Sequence, residues 1–132
     1  MFSWLRRLLG RAQPGKSLGE AGEDLAAQYL RAEGLRILVR NYRCATGEID
    51  IIALDGDTLV FVEVKTRRAS QPPPEIQIDR AKQHQLTRAA RRYLSLYGSS
   101  RPAARFDVVA IVWPDSAPPQ VRHIRGAFEA TF

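Results

Sequence analysis

Apolar residues between positions 17 and 34 fall at helical spacing, with Leu25, Ala26, Tyr29 and Leu30 on one stripe. Ser17 followed by Glu20 is a capping-box pattern that starts this helix, and Gly34 is its stop. The period then changes. Residues 36–42, 48–54 and 58–66 read as three strands, separated by a turn containing Gly47 and by the hairpin signal Asp55-Gly56-Asp57. An antiparallel meander follows from this spacing. A loop carrying Arg67, Arg68 and Pro72-Pro73-Pro74 leads to a second helix over 79–97, with Asp79 as N-cap and Gly98 as stop. Its core stripe is Leu86, Ala90, Tyr93, Leu94 and Tyr97. Arg80, His84, Arg88, Arg91 and Arg92 lie opposite, with Lys82 beside them. Residues 105–112 read as a buried strand and 121–124 as a short edge strand before a tail containing Phe128. The order predicts an α/β fold, a mixed sheet flanked by helices, with the fourth strand reached through the second helix.

The chain of 132 residues has room for one domain, assigned to 17–132, preceded by a basic amphipathic arm over 1–16 that ends at Pro14-Gly15. With 45% hydrophobic and 26% charged residues it matches globular usage, which excludes disorder, collagen and coiled coil. No apolar run approaches the ~18 residues of a membrane span. Arg6 and Arg7 break the apolar N-terminus, so no signal-peptide core forms and a cytoplasmic location without membrane insertion is expected. The lone Cys44 excludes an internal disulfide and a cysteine metal cage. A net charge of +6 points to an anionic partner. The excess sits in the arm and in residues 79–105, where seven basic residues accompany the single acid Asp79.

Charged residues inside apolar strands carry the chemistry. In the third strand Val60, Val62 and Val64 mark one face, while Phe61, Glu63 and Lys65 share the other, which turns from core into cleft. A two-residue loop within 55–57 makes paired residue numbers sum to an odd value, so Asp50 falls on the face of Phe61, Glu63 and Lys65. With Gly56-Asp57 as the loop, Asp50 stands opposite Glu63, with Cβ atoms within about 5 Å. Two facing carboxylates repel unless a cation or a proton intervenes, and an all-oxygen pair suits Mg²⁺ or Mn²⁺. Lys65 adds a cation that can position a water or offset charge on a phosphate. Glu23, in register with Gly19, Ala26 and Leu30, brings a third carboxylate to the packed face of the first helix. The plainer reading of the strand is an i,i+2 ion pair between Glu63 and Lys65 on a solvated face. Glu48 reads as an exposed strand-start residue and Asp107 as a partner of Arg105. His84 and His123 lack the paired spacing of a zinc site.

The strings Gly19-Glu20-Ala21-Gly22-Glu23, Gly47-Glu48-Ile49-Asp50, Phe61-Val62-Glu63-Val64-Lys65-Thr66 and Arg105-Phe106-Asp107-Val108-Val109 together resemble the bacterial YraN family over about residues 17–130. That family is grouped with Holliday-junction resolvases and the PD-(D/E)XK nucleases. The resemblance implies a restriction-endonuclease-like or tRNA-endonuclease-like αβββαβ core using Mg²⁺ or Mn²⁺. It implies Asp50 and Glu63 as metal ligands, the Val64 carbonyl as a third, Lys65 as the catalytic lysine and Glu23 as an additional acid. Ile49 stands where the superfamily's proline would be. The resulting expectation is a metal-dependent endonuclease acting on DNA, branched or structured DNA included. Arg67, Arg68, Arg80, Lys82, Arg88, Arg91 and Arg92 would contact phosphates. Resolvase-like relatives commonly act as two-fold dimers, so a homodimer is in view. The alternative is a non-catalytic nucleic-acid-binding module with the same fold, and a further reading makes the arm a membrane or protein anchor.

Overall fold

The computed structural model describes residues 16–74 and 77–132; all of the N-terminal arm except Lys16 lies outside them. Helix α1 spans Leu18–Ala32. Its cap is the expected one: Ser17 Oγ accepts from the Glu20 N–H at 3.1 Å and donates to Glu20 Oε1 at 3.1 Å. Past its end, Gly34 takes φ +94°, a left-handed conformation that a side chain would disfavour. Strands β1 (Arg36–Cys44), β2 (Gly47–Asp55) and β3 (Thr58–Arg68) follow as the antiparallel meander. Arg67 and Arg68 therefore finish β3 rather than opening the loop, held by pairing to Val112 and Trp113 of the next strand.

Helix α2 is Arg80–Leu94, capped by Asp79 through the Lys82 N–H at 2.8 Å. It is shorter than expected, because the chain tightens to a 3₁₀ turn over Ser95–Ser100. Strand β4 (Ala104–Trp113) pairs parallel to β3, and β5 (Gln120–Phe128) pairs antiparallel to β4. The sheet order is β1-β2-β3-β4-β5, a mixed five-stranded sheet with a helix on each face.

β5 runs through Phe128, beyond the edge strand predicted from residues 121–124. A register shift between Phe106 and Val108 accommodates it, with Gly126 at φ +61° donating its N–H to Asp107 Oδ1 at 3.0 Å. Two cores result. Leu25, Ala26, Ala27 and Leu30 of α1 pack on Ile51, Ala53, Val60, Val62, Val109 and Ile111. On the other face Leu86, Ala89, Ala90 and Leu94 of α2 cover Ile52, Leu59, Phe61, Phe106 and Val108. The Phe106 ring stacks on Phe128 at 4.5 Å and on Phe132 at 5.5 Å, tying the C-terminus to the second core. No helix among the described residues is long and apolar enough to cross a membrane.

Candidate functional site

The β2–β3 hairpin sets the site. Pairs run from Asp55↔Thr58 to Ile51↔Val62, so Gly56-Asp57 is the two-residue loop. Carrying that register one step further places Asp50 against Glu63, at the point where the ladder ends. Yet Asp50 does not project onto the α2 face beside Phe61, as strict alternation requires. Its Oδ2 accepts the backbone N–H of Val64 at 2.8 Å, and its carboxylate shares a hydrogen bond with Glu23 of α1. The alternation slips here: Ile49 joins Ile52 in the core under α2, while Ile51 and Ala53 face α1. A physical reason lies across the ladder. The pairs Arg40↔Ile51 and Tyr42↔Ile49 leave Asn41 opposite Asp50, and Asn41 has φ +54°. A left-handed residue, which asparagine tolerates, turns the edge of the hairpin at that level. Asp50 thus lies between the two faces of the sheet and reaches residues from both.

Glu23 arrives because α1 comes unusually close to β3. A Cβ on buried Gly22 would stand 1.9 Å from Thr66 Oγ1, so only glycine allows this approach. Its neighbour Asp24 pairs with Lys16 and with Arg40 (2.8 Å) and takes no part in the junction. From the other face α2 contributes Lys82, whose Nζ lies 3.7 Å from Glu63 Oε1; the Glu63 side chain is 15% exposed and that of Lys82 34%. Lys65 Nζ donates to the Gln77 carbonyl at 3.3 Å. Glu23, Asp50, Glu63, Lys65 and Lys82 thus converge from both helices and from strands β2 and β3.

The electrostatics follow from crowding. Burial, and then the Asp50 charge, push Glu63 up to about 7, against the opposing pull of Lys82 and Lys65. Burial and Asp50 likewise raise Glu23 to about 7, so Glu23 carries the shared proton near neutrality. Asp50 itself is raised by burial, partly offset by the Val64 N–H, the Glu23 hydrogen bond and Lys82. Among the described residues no group of three or more His, Cys, Asp or Glu side chains is arranged to hold a metal ion. The donor set around Asp50 and Glu63 is nonetheless all oxygen, a chemistry that suits a hard divalent ion keeping several waters.

The other sequence candidates divide. Arg67 and Lys65, with Gln71, Pro72 and Pro73, line an open cleft of about 340 Å³ beside the junction. Arg67 donates to the Thr66 carbonyl at 2.9 Å, and Arg68 pairs with Asp115 at 3.3 Å. Arg80 and Arg88 are exposed on α2, as is His84. Arg91 and Arg92 also are exposed but sit in the last turn, far along the helix from Lys82, and Arg91 donates to the Thr131 carbonyl. Glu48 is exposed and pairs with Arg43 at 3.3 Å. Asp107 is buried and satisfied by Arg105 (3.0 Å), His123 (2.8 Å) and Gly126, a structural set apart from the acids of the junction. Sequence reasoning gave Lys82 to phosphate, not to Glu63. One signal was available: a lysine in the first turn of a helix opposes the macrodipole and is favoured where an acid lies within its reach.

Residues 22–111 match the profile of the uncharacterised protein family UPF0102, which spans every member of the junction. The chain belongs to this family, the YraN family of the sequence resemblance. It is 48% identical over 118 residues to a UPF0102 protein of Geotalea daltonii, covering 89% of this chain and 93% of that one. A UPF0102 protein of Geobacter sulfurreducens is also 48% identical, with 89% and 92% covered. One from Symbiobacterium thermophilum is 47% identical over 116 residues, with 87% and 98% covered.

Proposed function

We propose that this UPF0102 protein is a metal-dependent endonuclease that hydrolyses phosphodiester bonds in DNA, branched or structured DNA included. The observation that carries the reading is the Asp50–Glu63 junction at the end of the β2–β3 ladder, with Lys65 two residues along the strand and Glu23 hydrogen-bonded to Asp50. Asp50, Glu63 and the Val64 carbonyl would hold Mg²⁺ or Mn²⁺. Such an ion supplies Lewis acidity toward a phosphoryl oxygen and lowers the pKa of a bound water. The Val64 N–H fixes one Asp50 oxygen and so orients the carboxylate. Glu23 holds a proton against Asp50 near neutral pH and so limits the charge of the crowded acids. Lys65, tethered to a backbone carbonyl, can turn toward a phosphate and offset its developing charge. Arg67 in the adjoining cleft and exposed Arg80 and Arg88 on α2 suit contacts to the sugar-phosphate backbone.

The test is cleavage of labelled linear duplex, single-stranded and four-way-junction DNA in Mn²⁺, Mg²⁺ or EDTA by wild type, Asp50→Ala and Lys65→Ala. Cutting by wild type with metal alone, lost in both folded variants while DNA binding persists, is the expected result. DNA binding without cutting under any condition would replace the reading with that of a non-catalytic nucleic-acid-binding module.

A further inference from the structure

Among the described residues Lys82 is the one cation that α2 directs at the junction, and its position is locally unfavourable. It is the third residue after the Asp79 cap, in a first turn whose only acid is that cap, where the helix dipole disfavours a positive charge. Glu63 compensates it at 3.7 Å, and Asp50 feels the same ammonium. The other described acids around it are engaged elsewhere: Asp24 by Lys16 and Arg40, Glu48 by Arg43, Glu23 by Asp50, and Asp79 Oδ1 by the Lys82 backbone N–H. Its side chain is one-third exposed, so its long stem has room to swing outward. A divalent ion on Asp50 and Glu63 would put like charge against that ammonium.

We propose that Lys82 is a built-in counter-ion of the junction: it holds Glu63 while no divalent ion is present and competes with that ion for the carboxylate. The inference rests on the metal-binding reading above and assigns Lys82 a positioning role within it, with no contact to reacting atoms. Once displaced, the ammonium would be free on the same turn as exposed Arg80, where an anionic backbone can take it. Metal loading and phosphate binding would then assist each other through a single residue.

The test is calorimetric titration of Mn²⁺ into the full chain at pH 8, with wild type, Lys82→Met, Lys82→Gln and Lys82→Arg, each checked for folding by circular dichroism. Lys82→Met and Lys82→Gln should bind Mn²⁺ about tenfold more tightly, the scale expected from removing one partly screened charge, and Lys82→Arg should stay near wild type. In EDTA the two neutral variants should also melt below wild type, and saturating Mn²⁺ should close that gap. Mn²⁺ binding that is unchanged or weakened relative to wild type in folded Lys82→Met and Lys82→Gln overturns the counter-ion role and leaves the metal reading in place. Absence of Mn²⁺ binding in every form overturns both.

Discussion

The backbone N–H of Val64 donates to Asp50 Oδ2 at 2.8 Å, across the end of a ladder whose last pair is Ile51↔Val62. A side chain has taken the place of a main-chain acceptor there. The substitution ends the sheet pairing and at the same time fixes a carboxylate on β3 one residue past Glu63. Fold and site are thus set by the same atom, which separates the amide and alkyl replacements of Asp50. Asp50→Asn keeps an oxygen that can accept from Val64, so the protein should melt near wild type. Asp50→Ala strands the N–H and should cost about 1–3 kcal/mol. Both should lose metal-dependent cleavage by at least about a hundredfold, since even outer partners of a metal ligand are worth roughly 10–100-fold. Paired melting curves and cleavage rates of the two variants check this.

Glu23 and Glu63 sit at about 7 in the fold, raised from an ordinary 4.5. Between those values the folded chain binds more protons than the unfolded one, so stability falls as pH rises through about 7. Asp107 and Asp24 are lowered below 3.8, and their contribution is lost only as pH falls through those lowered values. The expected profile of unfolding midpoint against pH therefore declines from about pH 5 to about pH 8. Glu63→Gln should flatten the decline, and Mn²⁺ should do so in wild type. A wild-type profile that is level over this range would remove the electrostatic account of the junction.

Gly22 and Thr66 control how near α1 comes to β3. Gly22→Ala places a methyl 1.9 Å from Thr66 Oγ1 and must push the helix outward, at about 1–3 kcal/mol. Because Glu23 is the next residue, its hydrogen bond to Asp50 should weaken too. Adding Thr66→Ala removes Oγ1 and Cγ2 from the clash, leaving Cβ at 2.9 Å. The double variant should recover part of the loss, a non-additivity that a double-mutant cycle of chemical denaturation measures.

Much of this arrangement was legible because it depends on short-range chemistry. Ser17 with Glu20 and Asp79 announce their helices, and Gly56-Asp57 fixes the hairpin register as far as Ile51↔Val62, one step short of Asp50 and Glu63. The offset of Glu23 from Ala26 and Leu30 likewise needs only the helical period. What escaped is non-local. The slip at Asp50 goes with a left-handed Asn41 on the neighbouring strand, which no pattern within β2 reveals. The Glu63–Lys82 pair joins residues on separate elements, and helical position alone made Lys82 look like one more cation of a basic stripe. β5 outran its expected end because Gly126 meets Asp107, 19 residues away.

Asp107 tests the separation of structure from site. Its carboxylate is fully buried and receives hydrogen bonds from Arg105 and the Gly126 N–H and one shared with His123, while Arg105 and Arg125 both pair with Asp55. Removing the charge leaves Arg105 half-paired, and Asp107→Ala should cost about 3–5 kcal/mol. None of these partners belongs to the Glu23–Asp50–Glu63 junction. Mn²⁺ affinity measured below the variant's melting temperature should therefore match wild type; a large loss would join the two clusters.

The cations on α2 divide by what already occupies them, and salt dependence reads that division. Arg80 and Arg88 are exposed on the length of α2 that begins beside the junction, whereas Arg91 is engaged by the Thr131 carbonyl in the last turn. Removing a cation that neutralises one phosphate should reduce the slope of log affinity against log salt by about 1, with little dependence on sequence. In EDTA, on an Asp50→Asn background that cannot cut, Arg80→Ala and Arg88→Ala should each lower the slope for DNA by about that amount. Arg91→Ala should leave it almost unchanged. Equal slopes for all four proteins would move the DNA off this helix and onto the cleft lined by Lys65 and Arg67, where Arg67→Ala should then carry the effect.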